Sequence, residues 1–394
     1  MKSSSLRLSA GYFTYFGAVG IFAPFWSPYL ALRGFSPVEI GLLIAVVAAA
    51  RAVVPIGIGW LADFTQRPTI ILQIVAASAA VCFMLFPFQS GLGSFVLLSL
   101  LFGAFWNTLI PLYDAHTLDY LGSDAARYGR LRLWGSVGFI VVSWAGGAVF
   151  ERAGYANVPW FALAPMVATF CVTLTLAPMG VPSVAASAGT VRAALRSRAV
   201  RVALLVSALV VMSSGAYYAF FSMWLESNHY SKSSIGLLWA VGVMAEVSVF
   251  AFGASLLARF SIRALFLAAA TGSALRWAVV AWFVGNPVLL TLSQLLHCLS
   301  FAVLHFAMVL TARHQFAPGL ESSAQSIFSS VAYGIGGLLG SLLAGVIWTT
   351  VSPRASYVCA AFIVVFAALC AGLGLRGTAL DQDYRSHPRD KQDS

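Results

Sequence analysis

Long apolar runs recur along nearly the whole chain and restrict what it can fold into. A helix needs about 20 apolar residues to cross the hydrocarbon core of a bilayer. Runs of that length predict twelve spanning helices, at 8–32, 39–62, 69–87, 93–118, 128–150, 157–177, 202–225, 234–257, 263–284, 287–311, 323–348 and 355–375. Because lipid offers backbone groups no hydrogen-bond partners, the sequence predicts an all-α integral membrane fold.

Composition supports this interpretation and excludes several function classes. Hydrophobic residues make up 60% of the chain and charged residues only 9%, against roughly 25% charged residues in soluble proteins. The net charge of +10 comes from basic residues in short loops, so we expect a lipid bilayer as partner and no nucleic acid. The five cysteines lack Cys-x-x-Cys spacing, and no metal site or cofactor is predicted.

The positions of lysine and arginine predict the orientation in the membrane. If the N-terminus is cytoplasmic, 17 of these residues fall on the inner side and 4 fall in outer loops. Cytoplasmic loops carry the excess of positive charge, so both termini are expected in the cytoplasm. The first apolar run, 8–32, is too long for a signal-peptide core, and we expect it to be retained as a spanning helix.

An internal repeat divides the chain. The segment Ser36–Leu43 opens the second predicted span, the similar Ser231–Leu238 opens the eighth, and the offset of 195 residues pairs Arg51 with Glu246. An Ala/Ser/Gly-rich break lies between the sixth and seventh spans. We therefore predict an N-terminal six-helix bundle at 1–177, a cytoplasmic linker at 178–200, a C-terminal six-helix bundle at 201–376 and a disordered cytoplasmic tail at 377–394.

The loop after the second span resembles a motif of the major facilitator superfamily. Gly59 and Asp63 stand four residues apart and Arg67 follows, although the usual run of basic residues is reduced. The resemblance implies two pseudo-symmetric bundles with a midplane solute site between them, and alternating access. It also implies that Gly59, Asp63 and Arg67 act in the conformational change.

Several short segments resemble one branch of that superfamily, the bacterial transporters of 3-phenylpropionic acid, which are similar to lactose–proton and nucleoside–proton symporters. These segments are Gly11–Tyr15, Gly20–Trp26, Tyr128–Ser136, Ala216–Tyr218, Val243–Glu246, Leu275–Trp277 and Gln294–Cys298. The resemblance implies proton-coupled uptake across a bacterial inner membrane.

Ionisable residues inside spanning helices are costly to insert and therefore point to function. Glu246 lies near the middle of the eighth span, and we expect it to carry the proton, with Asp114 and His297 as further proton-coupling candidates. The alternative is a fixed ion pair of Glu246 with Arg276 or Arg51, which would hold the carboxylate ionised and inert.

A second acid and base lie in the fourth and fifth spans. Asp114 and Arg132 both fall in the predicted cytoplasmic half, and the resemblance to lactose-type symporters implies an ion pair between them, with the arginine binding substrate. A guanidinium can engage both oxygens of a carboxylate at once. The alternative is that Arg130 and Arg132 are ordinary orientation charges.

The tenth span carries two histidines. His297 and His305 are eight residues apart, and Gln294 lies one turn before His297. They are candidates for a proton relay or for hydrogen bonds to substrate; the alternative is a neutral histidine bonded to a neighbouring helix.

In the resembled family, spans 1, 4, 7 and 10 line the cavity. The resemblance therefore suggests aromatic side chains of these spans as substrate contacts, with helix packing as the alternative role for each. They are Tyr12, Tyr15, Phe16, Tyr113, Tyr217, Tyr218 and Phe221. Asn107 in the fourth span and Gln325 in the eleventh are further polar candidates for the cavity.

Together these features predict a monomeric secondary active transporter for a small organic solute and protons. The expected activity is proton-coupled uptake of a small aromatic carboxylate such as 3-phenylpropionate, and the alternative is a nucleoside or sugar symporter. No nucleotide-binding or hydrolase motif occurs in the sequence, so an enzyme is not expected.

Overall fold

The computed structural model is built almost entirely of helices. It describes residues 2–179, 188–253, 257, 259–316 and 320–381. Within these residues there is no β-strand, and twelve helices are long and apolar enough to cross a membrane. They are α1 (Ser4–Leu32), α2 (Pro37–Ala62), α3 (Pro68–Phe88), α4 (Leu92–Leu121), α5 (Tyr128–Ala153), α6 (Tyr155–Thr173), α7 (Arg198–Ser227), α8 (Lys232–Ala251), α9 (Ile262–Trp282), α10 (Pro287–Gln315), α11 (Ser323–Thr350) and α12 (Pro353–Gly374). The predicted number and order of spans are confirmed.

Side-chain caps explain where several spans begin. The backbone N–H and hydroxyl of Ser36 both donate to the Glu39 carboxylate at 2.8 Å, and the Glu39 N–H faces the Ser36 hydroxyl. This is a capping box, and it starts α2 two residues before the apolar run predicts. Asn286 and Ser352 cap α10 and α12 as simple N-caps, in which the side-chain oxygen accepts backbone N–H groups of the first turn. Each is followed by a proline in the first turn, where a missing N–H costs nothing.

The second half of the chain contains irregular helix turns. The helix α7 breaks at Ser214 between Arg198–Ser213 and Gly215–Ser227. Wider π-helical turns occur at Val249–Gly253 and Leu299–Val303 and at Ser330–Gly336. Such turns often mark functional positions, and the first two directly follow the turns of α8 and α10 that carry Glu246 and His297.

The described residues form two compact units. The first unit comprises the described residues within Met1–Ser183 and Tyr218–Val241. The second unit comprises the described residues within Val184–Tyr217 and Gly242–Ser394. In the first unit α1 packs on α5 and α6, and α4 packs on α2 and α3. In the second unit α7 packs on α11 and α12, and α9 packs on α10 and α12. The packing of α1 on α5 and α6 thus corresponds to the packing of α7 on α11 and α12, six helices later in the chain. The internal repeat requires this correspondence.

Glycines allow the closest helix approach in each unit. A Cβ atom on Gly138 of α5 would overlap the carbonyl oxygen of Phe13 in α1, and one on Gly340 of α11 would overlap that of Met212 in α7. Small residues let helix backbones meet in this way in membranes, where packing rather than a hydrophobic force joins the helices.

Arginines also close matching helix ends in the two units. The Arg7 side chain of α1 donates to the Thr175 carbonyl just beyond α6 at 2.9 Å, and the Arg198 side chain of α7 donates to the Leu373 carbonyl of α12 at 3.3 Å. The last carbonyls of a helix lack partners within the helix and carry partial negative charge. Each arginine therefore joins the first and sixth helices of its repeat.

The predicted linker and tail are partly described. Ala188–Arg196 forms a short helix within the predicted linker, and residues 180–187 lie outside the described residues. In the predicted tail, Asp381 bonds Arg263 at 2.8 Å and accepts the Gly377 N–H at 2.9 Å. These two donors hold the pKa of the Asp381 carboxyl below its usual range. Residues 382–394 lie outside the described part of the chain.

Replacing Gly138 with alanine should destabilise the protein, because the new methyl group would push α1 away from α5. We expect a loss of about 1–3 kcal/mol in the free energy of unfolding, measured by denaturant titration of the purified protein in detergent. Gly57→Ala is the matched control, since a Cβ there meets open space, and it should be neutral or slightly stabilising. Equal losses in both variants would contradict the close approach of α1 and α5.

Candidate functional site

A buried arginine organises the polar centre of the second unit. Arg276 of α9 is completely buried, with a relative exposure of 0%. Its guanidinium contacts His297 Nδ1 at 2.8 Å and donates to Gln294 Oε1 at 2.9 Å, both on α10. Because a buried charge without partners is strongly unfavourable, these contacts are needed for Arg276 to remain in the span.

The second ring nitrogen of His297 contacts a carboxylate. Its Nε2 lies 2.5 Å from Oε1 of Glu246 on α8. An arginine can only donate hydrogen bonds, so Nδ1 of His297 must accept from Arg276 and its Nε2–H must donate to Glu246. The imidazole is therefore neutral in this arrangement, and it joins a cation to an anion across three helices.

Aromatic rings enclose the guanidinium. The Cζ atom of Arg276 lies 4.1 Å from the ring centre of Tyr217 and 4.7 Å from that of Trp277. Both distances suit cation–π attraction. Trp277 is fixed by a 3.0 Å hydrogen bond from its indole to Ser213, and Gly242 leaves room for the His297 ring.

This geometry corrects one sequence-based alternative. A direct ion pair between Glu246 and Arg276 is wrong, because His297 stands between the two charges. Gln294, predicted to bind substrate, is bonded to Arg276 and completely buried. The alternative interpretation of His297, as a neutral histidine bonded to neighbouring helices, agrees with its contacts to Arg276 and Glu246. The sequence did not predict that its two partners would carry opposite charges.

A second polar cluster lies in the first unit, where α1, α4 and α5 meet. The Tyr12 hydroxyl donates to Oδ1 of Asp114 at 2.6 Å and lies 3.1 Å from the Thr117 hydroxyl. Tyr128 packs edge-on against Tyr12, with ring centres 6.4 Å apart, and its phenol also contacts the same carboxylate. A phenol–carboxylate bond of this length is a strong, charge-assisted hydrogen bond.

The predicted ion pair between Asp114 and Arg132 is wrong for this structure. Within the described part of the chain, Arg132 forms no ion pair with a carboxylate. Its guanidinium instead rests on the Phe16 ring at 3.9 Å and lies 5.6 Å from the Tyr12 ring. The two aromatic residues are four positions apart on α1 and therefore share one helix face, which separates the acid from the base.

Three other predicted contact residues of the first unit make packing contacts. Tyr15 stacks on Trp106 at 4.3 Å. The Tyr113 hydroxyl donates to the Leu8 carbonyl at 3.1 Å. The Asn107 amide donates to the carbonyls of Val47 in α2 and Gly103 in α4, both at 2.8 Å. These hydrogen bonds hold α4 against α1 and α2.

The remaining candidates differ in how far they are exposed. Tyr218 is 36% exposed and packs near Trp239. His305 and Gln325 are exposed, and Arg51 is half-buried in α2.

The predicted conformational loop lies at the end of α2. Gly59 lies inside the last turns of the helix, and Arg67 is exposed immediately before α3. The side chain of Asp63 lies outside the described residues.

The sequence did not predict three residues of these clusters as site residues, namely Trp277, Thr117 and Tyr128. The signal for Trp277 was its position next to an arginine inside a span, while nothing in the local sequence distinguished Thr117 or Tyr128. Among the residues that the structure describes, no group of three or more histidine, cysteine or acidic side chains is arranged to hold a metal ion.

Comparison with known proteins identifies the family. Residues 5–359 match the model of the MFS_1 like family. The probable 3-phenylpropionic acid transporter of Escherichia coli K12 is 31% identical over 335 residues, which cover 84% of this chain and 88% of the relative. The chain belongs to the major facilitator superfamily.

Two further similarities extend this comparison. The maltose permease of Geobacillus stearothermophilus is 27% identical over 342 residues, which cover 85% of each chain. The crystal structure of the nucleoside transporter NupG matches with a TM-score of 0.82 and 19% identity, covering 94% of this chain and 99% of that one. As a member of the major facilitator superfamily, the chain is a multi-pass membrane transporter and not an enzyme.

Removing the buried cation should destabilise this transporter. We expect Arg276→Ala to lower the free energy of unfolding by about 3–5 kcal/mol, the usual cost of leaving a buried charge uncompensated, because Glu246 would lose the cation that His297 links to it. Chemical denaturation in detergent measures the change. Arg354→Ala, at an exposed arginine in the first turn of α12, should change stability by no more than about 0.5 kcal/mol. Similar values for both variants would contradict the structural importance of the Arg276 cluster.

Proposed function

We propose that this major facilitator takes up a small aromatic monocarboxylate, such as 3-phenylpropionate, together with a proton. The observation that carries the proposal is Arg132, a half-buried guanidinium that rests on an aromatic ring and forms no ion pair among the described residues. A carboxylate is the complementary ligand for such a cation. The similarity to the probable 3-phenylpropionic acid transporter supports the same substrate class.

The surroundings of Arg132 also suit an aromatic solute. Phe16 and Tyr12 present their rings to the guanidinium, and Tyr15 and Phe16 pack together with ring centres 4.9 Å apart. Offset or edge-on contacts between aromatic rings add to the stabilisation that burial provides. A phenyl group and a carboxylate on one small molecule would therefore each find a complementary surface on α1 and α5.

Glu246 is the group that we assign to proton coupling. While His297 accepts a hydrogen bond from Arg276, it cannot take up a second proton without losing that bond. The Glu246 carboxylate contacts the other ring nitrogen of His297, so it can be protonated without changing the contact between Arg276 and His297. His297 then serves to position Glu246, and the proton is carried by the carboxylate.

Charge balance explains why proton and solute would move together. Moving an uncompensated ion through hydrocarbon is costly. A proton bound with a monocarboxylate cancels the charge of the solute, so the loaded carrier has the same net charge as the empty one. Alternating access is then open to the empty and the fully loaded protein, and a carrier loaded with only one of the two ligands is disfavoured.

We further propose that the transporter acts as a monomer in a bacterial inner membrane with both termini in the cytoplasm. The even number of spans supports placing both termini on one side, and the 17-to-4 distribution of basic residues supports the cytoplasmic side.

A proton-coupled nucleoside or sugar symporter is the second candidate. It is favoured by the similarity to the maltose permease and by the fold shared with NupG. An uncharged polyol would be bound by amide and carboxylate groups and would not need Arg132. Competition against 3-phenylpropionate uptake by maltose and uridine, compared with benzoate, separates the two candidates.

Glu246→Gln should abolish accumulation of solute driven by a pH gradient but retain exchange of labelled for unlabelled solute. The amide can still accept the His297 hydrogen bond, but it cannot carry a proton. Uptake into proteoliposomes with and without a pH gradient measures both activities. Glu39→Gln, at the half-buried capping residue of α2, should behave like the wild type. Gradient-driven accumulation by Glu246→Gln would show that the proton is carried elsewhere.

Arg132→Ala should weaken binding of 3-phenylpropionate by about 10- to 100-fold, since hydrogen bonds to charged groups contribute roughly 1.5–3 kcal/mol. Binding of the neutral amide, 3-phenylpropanamide, should change little. Isothermal titration calorimetry in detergent measures both ligands. The matched control is Arg130→Ala, because Arg130 is exposed two residues earlier in the same helix. Equal effects of the two variants would indicate bulk electrostatics instead of a binding contact.

A further inference from the structure

The acid and the base of the first unit lie near each other without pairing. Asp114 of α4 and Arg132 of α5 both contact Tyr12 of α1, yet among the described residues they form no ion pair. Opposite charges in an apolar setting normally pair because their attraction is weakly screened. Another interaction must therefore hold them apart.

Tyr12 contacts both side chains directly. Its hydroxyl donates to the Asp114 carboxylate at 2.6 Å, and its ring faces the guanidinium of Arg132 at 5.6 Å. Phe16, one turn later on α1, supports the same guanidinium at 3.9 Å. Tyr12 is itself completely buried and packs edge-on against Tyr113 with ring centres 5.0 Å apart. Its position is therefore fixed by packing and not by the carboxylate alone.

We propose that Tyr12 determines the specificity of the site for anions by holding Asp114 away from Arg132. With its carboxylate bonded to the phenol, Asp114 does not neutralise the guanidinium, and the positive charge remains available to a solute carboxylate. Without the phenol hydroxyl, Asp114 turns to Arg132 and occupies the place of the solute. Tyr12 is thus a positioning residue. The substrate part of this inference rests on the proposed function, whereas the separation of the two side chains does not.

The first test measures the availability of Arg132 without any solute. Phenylglyoxal modifies guanidinium groups, and peptide-resolved mass spectrometry of the protein in detergent gives the labelling rate of Arg132. Tyr12→Phe keeps the ring and removes the hydroxyl, and it should slow this labelling at least about threefold, because the freed carboxylate covers the guanidinium. Tyr12→Phe combined with Asp114→Asn should restore the wild-type rate, since no carboxylate is left to compete.

Tyr113→Phe is the matched control for the labelling test. It removes a buried phenol hydroxyl from the residue next to Asp114, but that hydroxyl donates to the Leu8 carbonyl and not to the carboxylate. The labelling rate of Arg132 should therefore stay at the wild-type value. A slow rate in Tyr12→Phe that Asp114→Asn fails to restore would overturn the proposal, because it would show a packing role for Tyr12. An unchanged rate in Tyr12→Phe would overturn it as well.

The second test measures binding. The dissociation constant for 3-phenylpropionate should rise about tenfold in Tyr12→Phe and return to the wild-type value in the double variant, while that for 3-phenylpropanamide stays constant. If the wild type binds neither compound, the proposed substrate is wrong and the labelling result still decides the role of Tyr12. If Tyr12→Phe does not fold, Asp114→Asn alone decides it. Labelling at the wild-type rate supports the proposal, and labelling several-fold faster shows that Asp114 already shields Arg132.

Discussion

The hydrocarbon core of a bilayer offers no hydrogen-bond partner to a peptide group and no solvation to an ion. A helix satisfies the peptide groups along its length with its own hydrogen bonds, but the ionised side chains within the spans must find partners on other helices. Arg276 shows the consequence most clearly. Its guanidinium is completely buried and is held by Gln294, His297 and two aromatic rings. Four helices, α7 to α10, meet around this one charge.

The two units solve the problem of a buried charge in different ways. In the second unit a neutral histidine joins Arg276 to Glu246, so the opposite charges are coupled through one side chain. In the first unit Tyr12 binds Asp114 and contributes with Phe16 to an aromatic surface for Arg132, so the charges remain separate. A coupled pair suits the uptake and release of a proton, and a separate cation suits an anionic solute. The proposed division of labour between the units follows from this difference.

Helix packing provides the setting for both clusters. Gly138 and Gly340 let the first helix of each repeat lie directly against the fifth, and Arg7 and Arg198 join the first helix to the sixth. The repeat thus preserves the packing of α1 and α7, while the polar residues of the two halves have diverged. In α8 and α10, the π-helical turns directly follow Glu246 and His297, where a local change in helix winding alters the direction of the side chains.

The sequence alone determined the twelve spans, because the length of an apolar segment that crosses a bilayer follows from the bilayer thickness. The repeat and the family resemblance rested on short matching segments, such as Ser36–Leu43 with Ser231–Leu238 and the loop of Gly59 and Asp63. The sequence also identified Glu246, Arg276, His297, Asp114 and Arg132 as unusual, since ionisable residues are rare inside spanning helices.

The sequence could not determine how these residues are paired. Glu246 and Arg276 were candidates for a direct ion pair, and so were Asp114 and Arg132, but the structure places His297 between the first two and an aromatic helix face between the second two. Such pairing depends on how each helix is rotated about its axis and on which residues of three or four helices meet at one depth. That information resides in side-chain packing across the bundle, and only the tertiary structure decided it.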